Sequence, residues 1–491
     1  MFNKLIPQNK TTRVISGFGL LAFLLWIISD ITITTATPGA EFKLMLAGLL
    51  HPQWPPLTEL AHAILQTISY ALLGVTLAAT GGFLLSLIFH LKIVRVACAS
   101  LRAVHELFWG LLLIQLFGLQ PLTGLLAIAI PYTGILAKIY AEIRQEARHR
   151  HKPHLPHNCS VFSRFLYADW PLIKTDFTNY TLYRFECGLR SGTILGFIGL
   201  PTLGFQLESA FMQGHYADVT GLLFIFYGLI ATIHWWGQFK FWPIYLSAAV
   251  YYLWPDISFS SSDLNWLLEQ ITPTPWREIN NNFGNWFYPI ISEQLLPGLW
   301  NTLVTGQIAL VLSAGLALIL YPLLSNHFGN STTRLMGNLS LVIMRSTPEL
   351  ILGFALLILW GPSLLPAIIA LAIHNGAIIG HLTGHHSNNI PLRPDAPKGI
   401  NRYSYEITPR VFNQFLIFTF YRWEVIMRES ALLGILGLHT LGFFIDSAFE
   451  SFRLDVALIL IIASAALNIG VDSAGRVLRQ YLHLPKYRVI G

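Results

Sequence analysis

Charged side chains within apolar stretches are the residues of this sequence best placed to do chemistry. Two stretches carry the same pattern, Tyr183-Arg184-Phe185-Glu186 with Arg190, and Tyr421-Arg422-Trp423-Glu424 with Arg428. An ionised side chain in hydrocarbon costs roughly 2.5–3.5 kcal/mol unless it meets a partner or water. On a helix each Glu lies one turn before the second Arg of its motif. The eight candidate path residues are therefore Tyr183, Arg184, Glu186, Arg190, Tyr421, Arg422, Glu424 and Arg428.

Two interpretations of these charges remain open. In the first, each Glu forms a buried ion pair with the Arg four residues later, and the pair fixes helix packing. In the second, the arginines border a path through the membrane and the Glu residues limit its positive charge. An anion would then be the preferred passenger, because the guanidinium fork matches an oxyanion.

Glycines follow both motifs at matching positions. They are Gly196, Gly199 and Gly204 in the first stretch, and Gly434, Gly437 and Gly442 in the second. Such glycines permit a tight non-helical turn or a close contact between helices. Irregular backbone at membrane depth is tolerated only against protein or a water-filled cavity.

The chain is internally duplicated. Segments 183–211 and 421–449 align without gaps and are identical at about half of their positions. A second matching pair lies upstream, Arg102 with Glu106 and Arg345 with Pro348 and Glu349. Because the features recur in the same order and each half has about six apolar stretches, the halves are predicted to be parallel repeats. Two such halves around a central path suggest transport.

Composition places the chain in the polytopic membrane class. Of its 491 residues 54% are hydrophobic and 11% charged, and the mean hydropathy is +0.54. Ordinary globular domains have roughly 25% charged residues. Three cysteines exclude a disulfide scaffold, and the 14 Trp, 18 Tyr and 32 Phe residues exclude disorder. The net charge of +6 does not indicate nucleic-acid binding, because basic residues of membrane chains collect in cytoplasmic loops.

The predicted fold is an all-α polytopic membrane protein with about twelve transmembrane helices in two six-helix halves. The spans fall near 14–35, 65–90, 104–119, 121–142, 172–200, 217–236, 241–254, 298–325, 344–360, 364–384, 411–438 and 454–472. The first is too long for a signal peptide. Lys and Arg alternate between loops so that both termini are predicted inside, with the acidic segment 255–296 outside. The predicted domains are residues 1–239 and 240–491.

Catalytic and metal motifs give no support for an enzyme. The chain has no phosphate-binding Gly-x-x-x-x-Gly-Lys-Ser/Thr loop, no Gly-x-Ser-x-Gly and no His-Glu-x-x-His. Two histidine groups occur: His149, His151, His154 and His157, and His374, His381, His385 and His386. The first lies among cations that disfavour a metal; for the second a metal is the alternative. We predict no metal and no cofactor.

At these residues the sequence resembles the membrane permease subunit of phosphonate-type ABC importers. That family has a Tyr-Arg-Phe-Glu motif, an Arg four residues past the Glu, and a glycine-rich turn. It also has an Arg-x-x-Pro-Glu element, matched by Arg345, Pro348 and Glu349, of which the first half keeps Arg102 and Glu106. The family's coupling segment ends in a Pro 12 residues before the Tyr, as do Pro171 and Pro409.

The resemblance implies partners and a location. Two copies of an ATP-binding subunit, or two related ones, would bind the inner face, and a periplasmic binding protein would deliver the solute across the bacterial inner membrane. Coupling helices would lie in the inside loops, at about 143–171 and 385–409. Asn158 and Ser160 stand where the family has Gly-Ala-Ser, whereas the second half retains Gly399.

Two rivals to this interpretation differ in class. A secondary transporter with parallel repeats would work without ATPase subunits, and co-purification would distinguish it. A membrane enzyme or assembly scaffold using the histidines would contain bound zinc or iron. An ABC permease for another small solute is a third alternative.

Overall fold

The computed structural model describes residues 10–151, 160, 163, 165–256, 263–277 and 282–484, and in these ranges all regular structure is helical. In chain order the α-helices are α1 Lys10–Ile28, α2 Pro38–Leu50, α3 Leu57–Leu87, α4 Lys92–Ala103, α5 Glu106–Phe117, α6 Pro121–His151, α7 Trp170–Ile194, α8 Leu203–Met212, α9 Tyr216–Ala231, α10 Ile233–Trp236, α11 Trp242–Leu253, α12 Asp263–Ile271, α13 Thr274–Arg277, α14 Phe283–Pro289, α15 Leu296–Leu320, α16 Ser331–Ser346, α17 Glu349–Trp360, α18 Leu364–Asn388, α19 Thr408–Leu432, α20 Leu441–Glu450 and α21 Leu454–Tyr481. The all-α prediction is confirmed for this part of the chain.

One compact unit comprises Ala47–Glu269. Its centre is the pair of long helices α3 and α6, with α7 packed against both. Small residues let α3 and α6 approach closely, since a Cβ added at Gly82 would lie 2.7 Å from the Leu136 Cβ. Helix α11 completes this unit by packing on α3.

The other unit comprises Met1–Leu46 together with Gln270–Arg488. Here α15 and α18 form the central pair, with α19 against both. Helix α1 packs on α15, where Leu25 joins Ile308 in one apolar cluster. These units describe packing, and the division into permease domains at residue 239 stays a prediction.

Six described helices are long and apolar enough to cross a membrane, or up to ten spans if each of four bent pairs counts as one. The stretches predicted at 104–119 and 344–360 are the short helices α5 and α17, each the second arm of a pair bent by 90° and 88°. The hydropathy of a segment does not indicate a change in helix direction, so these bends were not predicted. They occur where His105 has extended backbone and where Pro348 disfavours a helical residue before it. The count of twelve and the orientation stay predictions.

Candidate functional site

At each of the bends of 90° and 88°, a carboxylate lies buried in the protein interior. Glu106 and Glu349 are the first residues of α5 and α17, and their exposed fractions are 7% and 6%. In the first repeat His105 caps the helix, since its Nδ1 accepts a hydrogen bond of 3.2 Å from the Leu107 amide. Pro348 takes the equivalent place in the second repeat. The Arg-x-x-x-Glu elements therefore build bends that bury one acid each.

Arg184 lies among tyrosines. Its Nε and Nη2 donate to the Tyr180 hydroxyl at 3.1 and 2.7 Å. Its guanidinium carbon stands 5.6, 5.3 and 5.5 Å from the ring centroids of Tyr132, Tyr180 and Tyr183. Cation–π attraction of this kind strengthens where water is excluded.

A hydrogen-bond chain joins α5, α6 and α7 beside that arginine. The hydroxyls of Tyr132 and Ser191 are 2.9 Å apart, and Ser191 donates to Glu106 Oε1 at 2.8 Å. We call Glu106, Tyr132, Arg184 and Ser191 the first cluster.

The second repeat builds a more charged cluster on the corresponding helices. Arg422 donates through Nε to Asn375 Oδ1 at 2.7 Å and through Nη2 to the same oxygen. Its Nη2 also lies 3.3 Å from Glu429 Oε1, while Asn375 donates to Glu429 Oε2 at 2.8 Å. His374 Nε2 stands 4.0 Å from Glu349 Oε2. We call Glu349, His374, Asn375, Arg422 and Glu429 the second cluster.

The residues of the two clusters occupy equivalent sequence positions in the two repeats. Tyr132 and Asn375 each follow the bend carboxylate by 26 residues, and Ser191 and Glu429 each follow the motif's first arginine by seven. The duplication thus preserves position while the residue types differ. The first cluster is bridged by hydroxyls and the second by a carboxylate and an amide.

The remaining motif residues lie on the same helices, α7 and α19. Tyr183 is 45% exposed, and Glu186, Arg190, Tyr421, Glu424 and Arg428 are half-buried. Arg190 Nη2 is 3.3 Å from Cys187 Sγ. The first of the two open interpretations was a buried ion pair within each motif. An ion pair is present at Arg422, but its partner Glu429 lies outside the predicted motif. The lining of a path stays a prediction.

The glycine segments form both the tight turn and the close contact. A 3₁₀ turn follows each long helix and ends at Gly199 or Gly437, whose φ angles are +91° and +86°. A Cβ at Gly204 would lie 1.6 Å from the Thr193 carbonyl oxygen, and one at Gly434 would lie 2.3 Å from the Phe443 amide nitrogen. The helices then resume at bends of 50° and 46°.

Buried threonines cap the helices after these turns, a feature not predicted from the sequence. The Leu203 amide donates to Thr67 Oγ1 and the Leu441 amide to Thr302 Oγ1, both at 3.0 Å. The exposed fractions of Thr67 and Thr302 are 1% and 0%. Each threonine therefore ties the central helix of its unit to the turn.

We expect Thr302→Val to lower the free energy of unfolding by about 1–3 kcal/mol, because it leaves the buried Leu441 amide without its acceptor. Thr80→Val is the matched control, since the exposed Thr80 hydroxyl bonds only within its own turn, to the Leu77 carbonyl. Thermal unfolding in detergent measures both. Equal melting temperatures for the two variants would contradict the assigned cap.

Two of the predicted coupling residues lie at the start of α7 and α19. Pro171 and Pro409 are in the first turns, each preceded by a π-helical turn, at Phe165–Asp169 and Arg402–Ile407. Gly399 has a φ of +62°. Ser160 Oγ accepts from the Ser163 amide at 3.1 Å. Asn158, His154 and His157, and the side chains of His149 and His151, lie outside the described residues.

Sequence reasoning missed Tyr132, Ser191, Asn375 and Glu429, and it placed His374 only in a histidine group. One signal was available. The aligned mismatch of Ser191 with Glu429 puts an extra acid in an apolar helix. What no pattern supplies is which side chains of different helices meet.

Comparison with known proteins gives relatives among permeases. No protein-family model matches the chain, and no solved structure matches it at a significant level. The phosphite transport system permease protein PtxC of Stutzerimonas stutzeri is 21% identical over 232 residues, which is 44% of this chain and 82% of the relative. The phosphate-import permease protein PhnE of Mycolicibacterium smegmatis is 24% identical over 216 residues, 42% of this chain and 41% of the relative.

A third relative is the putative phosphite transport system permease protein HtxE of Stutzerimonas stutzeri, 27% identical over 136 residues. This match covers 27% of the chain and 52% of the relative. The resemblance to permeases drawn from the motifs is confirmed by these relatives. With its long apolar helices, the chain is a multi-pass membrane protein related to transport permeases.

Proposed function

We propose that the chain is the permease of an ABC importer for a small oxyanion such as phosphonate, phosphate or phosphite. It would work with two ATPase subunits on the cytoplasmic face and a periplasmic binding protein, in the bacterial inner membrane. ATP hydrolysis would occur on the partners. Both halves of one chain would supply the path that separate subunits usually form.

The observation that most supports this proposal is the kind of relative found, since all three are named for phosphite or phosphate transport. The clusters agree with it. Arg184 lies against the ring of Tyr132, which is hydrogen-bonded through Ser191 to Glu106, and Arg422 lies 3.3 Å from Glu429. Guanidinium groups recognise tetrahedral oxyanions through their planar fork of donors. Weak attraction at several such groups lets an anion enter and leave.

Alternating access requires that motion at the inner face reach the helices. The segment 390–407 is tied to its unit by several bonds: Arg402 donates to the His327 carbonyl at 2.8 Å and Tyr403 to the Leu318 carbonyl at 3.1 Å. Glu406, 3% exposed, lies 2.7 Å from Arg410. A force applied to this segment would therefore pass directly to α15 and α19.

We expect the tagged chain to co-purify with an ATPase subunit from its native membrane and, in liposomes, to import labelled phosphate or phosphite when ATP is supplied. Mass spectrometry identifies the partners, and labelled sulfate tests selectivity. The matched control is the same complex with the Walker lysine of the ATPase replaced. Uptake that persists without ATPase activity would instead establish a secondary transporter.

A further inference from the structure

Three helices of the second repeat bring metal-ligand side chains together. Glu349 begins α17, His374 lies in α18 and Glu429 lies in α19, and one ligand atom of each falls within 4.8 Å of the others. The exposed fractions are 6%, 1% and 6%. We propose that these three side chains bind one Zn²⁺ ion.

The histidine is oriented as a ligand would be. Its Nδ1 lies 3.0 Å from the Thr347 carbonyl oxygen, which can only accept, so Nδ1 carries the hydrogen and Nε2 faces Glu349. Metal-binding histidines commonly donate their other ring N–H to a backbone carbonyl in this way. The Nε2 to Oε2 distance is 4.0 Å, longer than a hydrogen bond. Two ligands about 2.1 Å from a tetrahedral zinc would be roughly 3.4 Å apart, so side-chain rotations that shorten the present separations, all within 4.8 Å, would close the site.

The third ligand is held in place by neighbours. Asn375 donates to one oxygen of Glu429 at 2.8 Å, and Arg422 approaches the other at 3.3 Å. Each carboxylate oxygen has a further lone pair for an ion. Such outer contacts orient a metal-binding carboxylate and raise affinity.

Charge also favours a cation here. Two carboxylates and one guanidinium leave one negative charge in a buried site when the imidazole is neutral. A divalent ion reverses this to one positive charge. Three protein ligands also leave an open fourth position, which water or an anion would fill. One imidazole with carboxylates suits zinc better than magnesium or calcium.

The first repeat lacks this donor set. Pro131 occupies the position equivalent to His374, and Ser191 the position equivalent to Glu429. In the first repeat the equivalent helices are joined instead by direct hydrogen bonds, from Tyr132 to Ser191 and from Ser191 to Glu106. Zinc binding is therefore assigned to the second repeat alone. Its test does not depend on which solute is transported.

The test is the zinc content of the full chain, purified in detergent without chelators, loaded with Zn²⁺ and desalted. We expect about one ion per chain for the wild type and a loss of that ion in Glu349→Gln and in His374→Gln. Glu106→Gln is the matched control, since it changes the equivalent acid of the first repeat. His381→Gln tests the histidines further along α18, where the rings of His381 and His385 are 4.5 Å apart. Both controls should keep the ion.

A second measurement covers variants that fail to fold. Co²⁺ bound to the wild-type chain should show the visible absorption of a four- or five-coordinate site, and Zn²⁺ should displace it. Asn375→Ala should weaken Zn²⁺ binding by about 10- to 100-fold, as loss of an orienting contact does. A wild-type chain that takes up neither ion overturns the proposal, as does loss of zinc in His381→Gln with retention in His374→Gln. Neither the zinc content nor the cobalt spectrum depends on whether the chain transports a solute.

Discussion

Replacing Arg190 and Arg428 together by alanine should reduce oxyanion uptake by about 100-fold. Each guanidinium is half-buried and lies on α7 or α19, one turn past the motif glutamate. A hydrogen bond from a charged donor contributes about 1.5 kcal/mol at the low end, and two of them give roughly 3 kcal/mol, or about 100-fold. Uptake of labelled phosphate and phosphite by liposomes carrying the complex measures the loss.

Two controls separate this effect from damage to the fold. Arg95→Ala removes an exposed cation of α4 and should leave uptake unchanged. The double lysine variant keeps both charges but not the planar forks, so it should recover only part of the activity. Unchanged transport by a normally folded double alanine variant would refute the arginine role and leave helix packing as its explanation.

The sequence predicted the parts of the fold that depend on local composition and on repetition. Apolar stretches indicated the long helices, and the glycines of the aligned segments 183–211 and 421–449 indicated where a turn or a close helix contact would lie in both repeats. The matched glycines predicted a turn or a close contact, and the structure contains both. These features are encoded in neighbouring residues, so a single sequence suffices to find them.

The contacts within the clusters could not be predicted from the sequence, for a physical reason. Glu429 was overlooked because the helical pairing of Glu424 with Arg428 already accounted for the local charges. Its partner Arg422 lies two turns earlier on α19 itself, but its contact with Asn375 depends on how α18 packs against α19. Periodicity gives the face of a helix but not the neighbour that the face meets.

Sequence patterns also did not predict where the apolar spans bend. Hydropathy predicted continuous segments at 104–119 and 344–360, whereas backbone bends of 90° and 88° divide the apolar chain there. In the second repeat Pro348 precedes the helix that begins after the bend, whereas in the first repeat His105 takes that place and its side chain caps the new helix. Different residues at one position thus produce the same bend.

The closest backbone approach in the glycine segments leads to the other large expected effect. Gly204→Ala should prevent stable folding, because the added Cβ would lie 1.6 Å from the Thr193 carbonyl oxygen. Overpacking a side chain costs about 1–3 kcal/mol, and here the obstacle is backbone that cannot rotate away. Gly434→Ala should act alike, with its Cβ 2.3 Å from the Phe443 amide nitrogen. Fluorescence-detected size-exclusion chromatography of heated samples measures the folded fraction.

Gly315 and Gly470 provide matched controls within helices. A Cβ at either position meets nothing within 4 Å, so alanine there should stabilise the helix by about 0.5–1 kcal/mol. If Gly204→Ala melted like Gly470→Ala, the two arms of the bend could not be in contact. The fixed angle between α7 and α8 would then have to come from the Thr67 cap alone. If instead Gly204→Ala failed to fold and Thr67→Val folded with a lower melting temperature, the backbone contact would set the bend. The threonine cap would then only add stability to it.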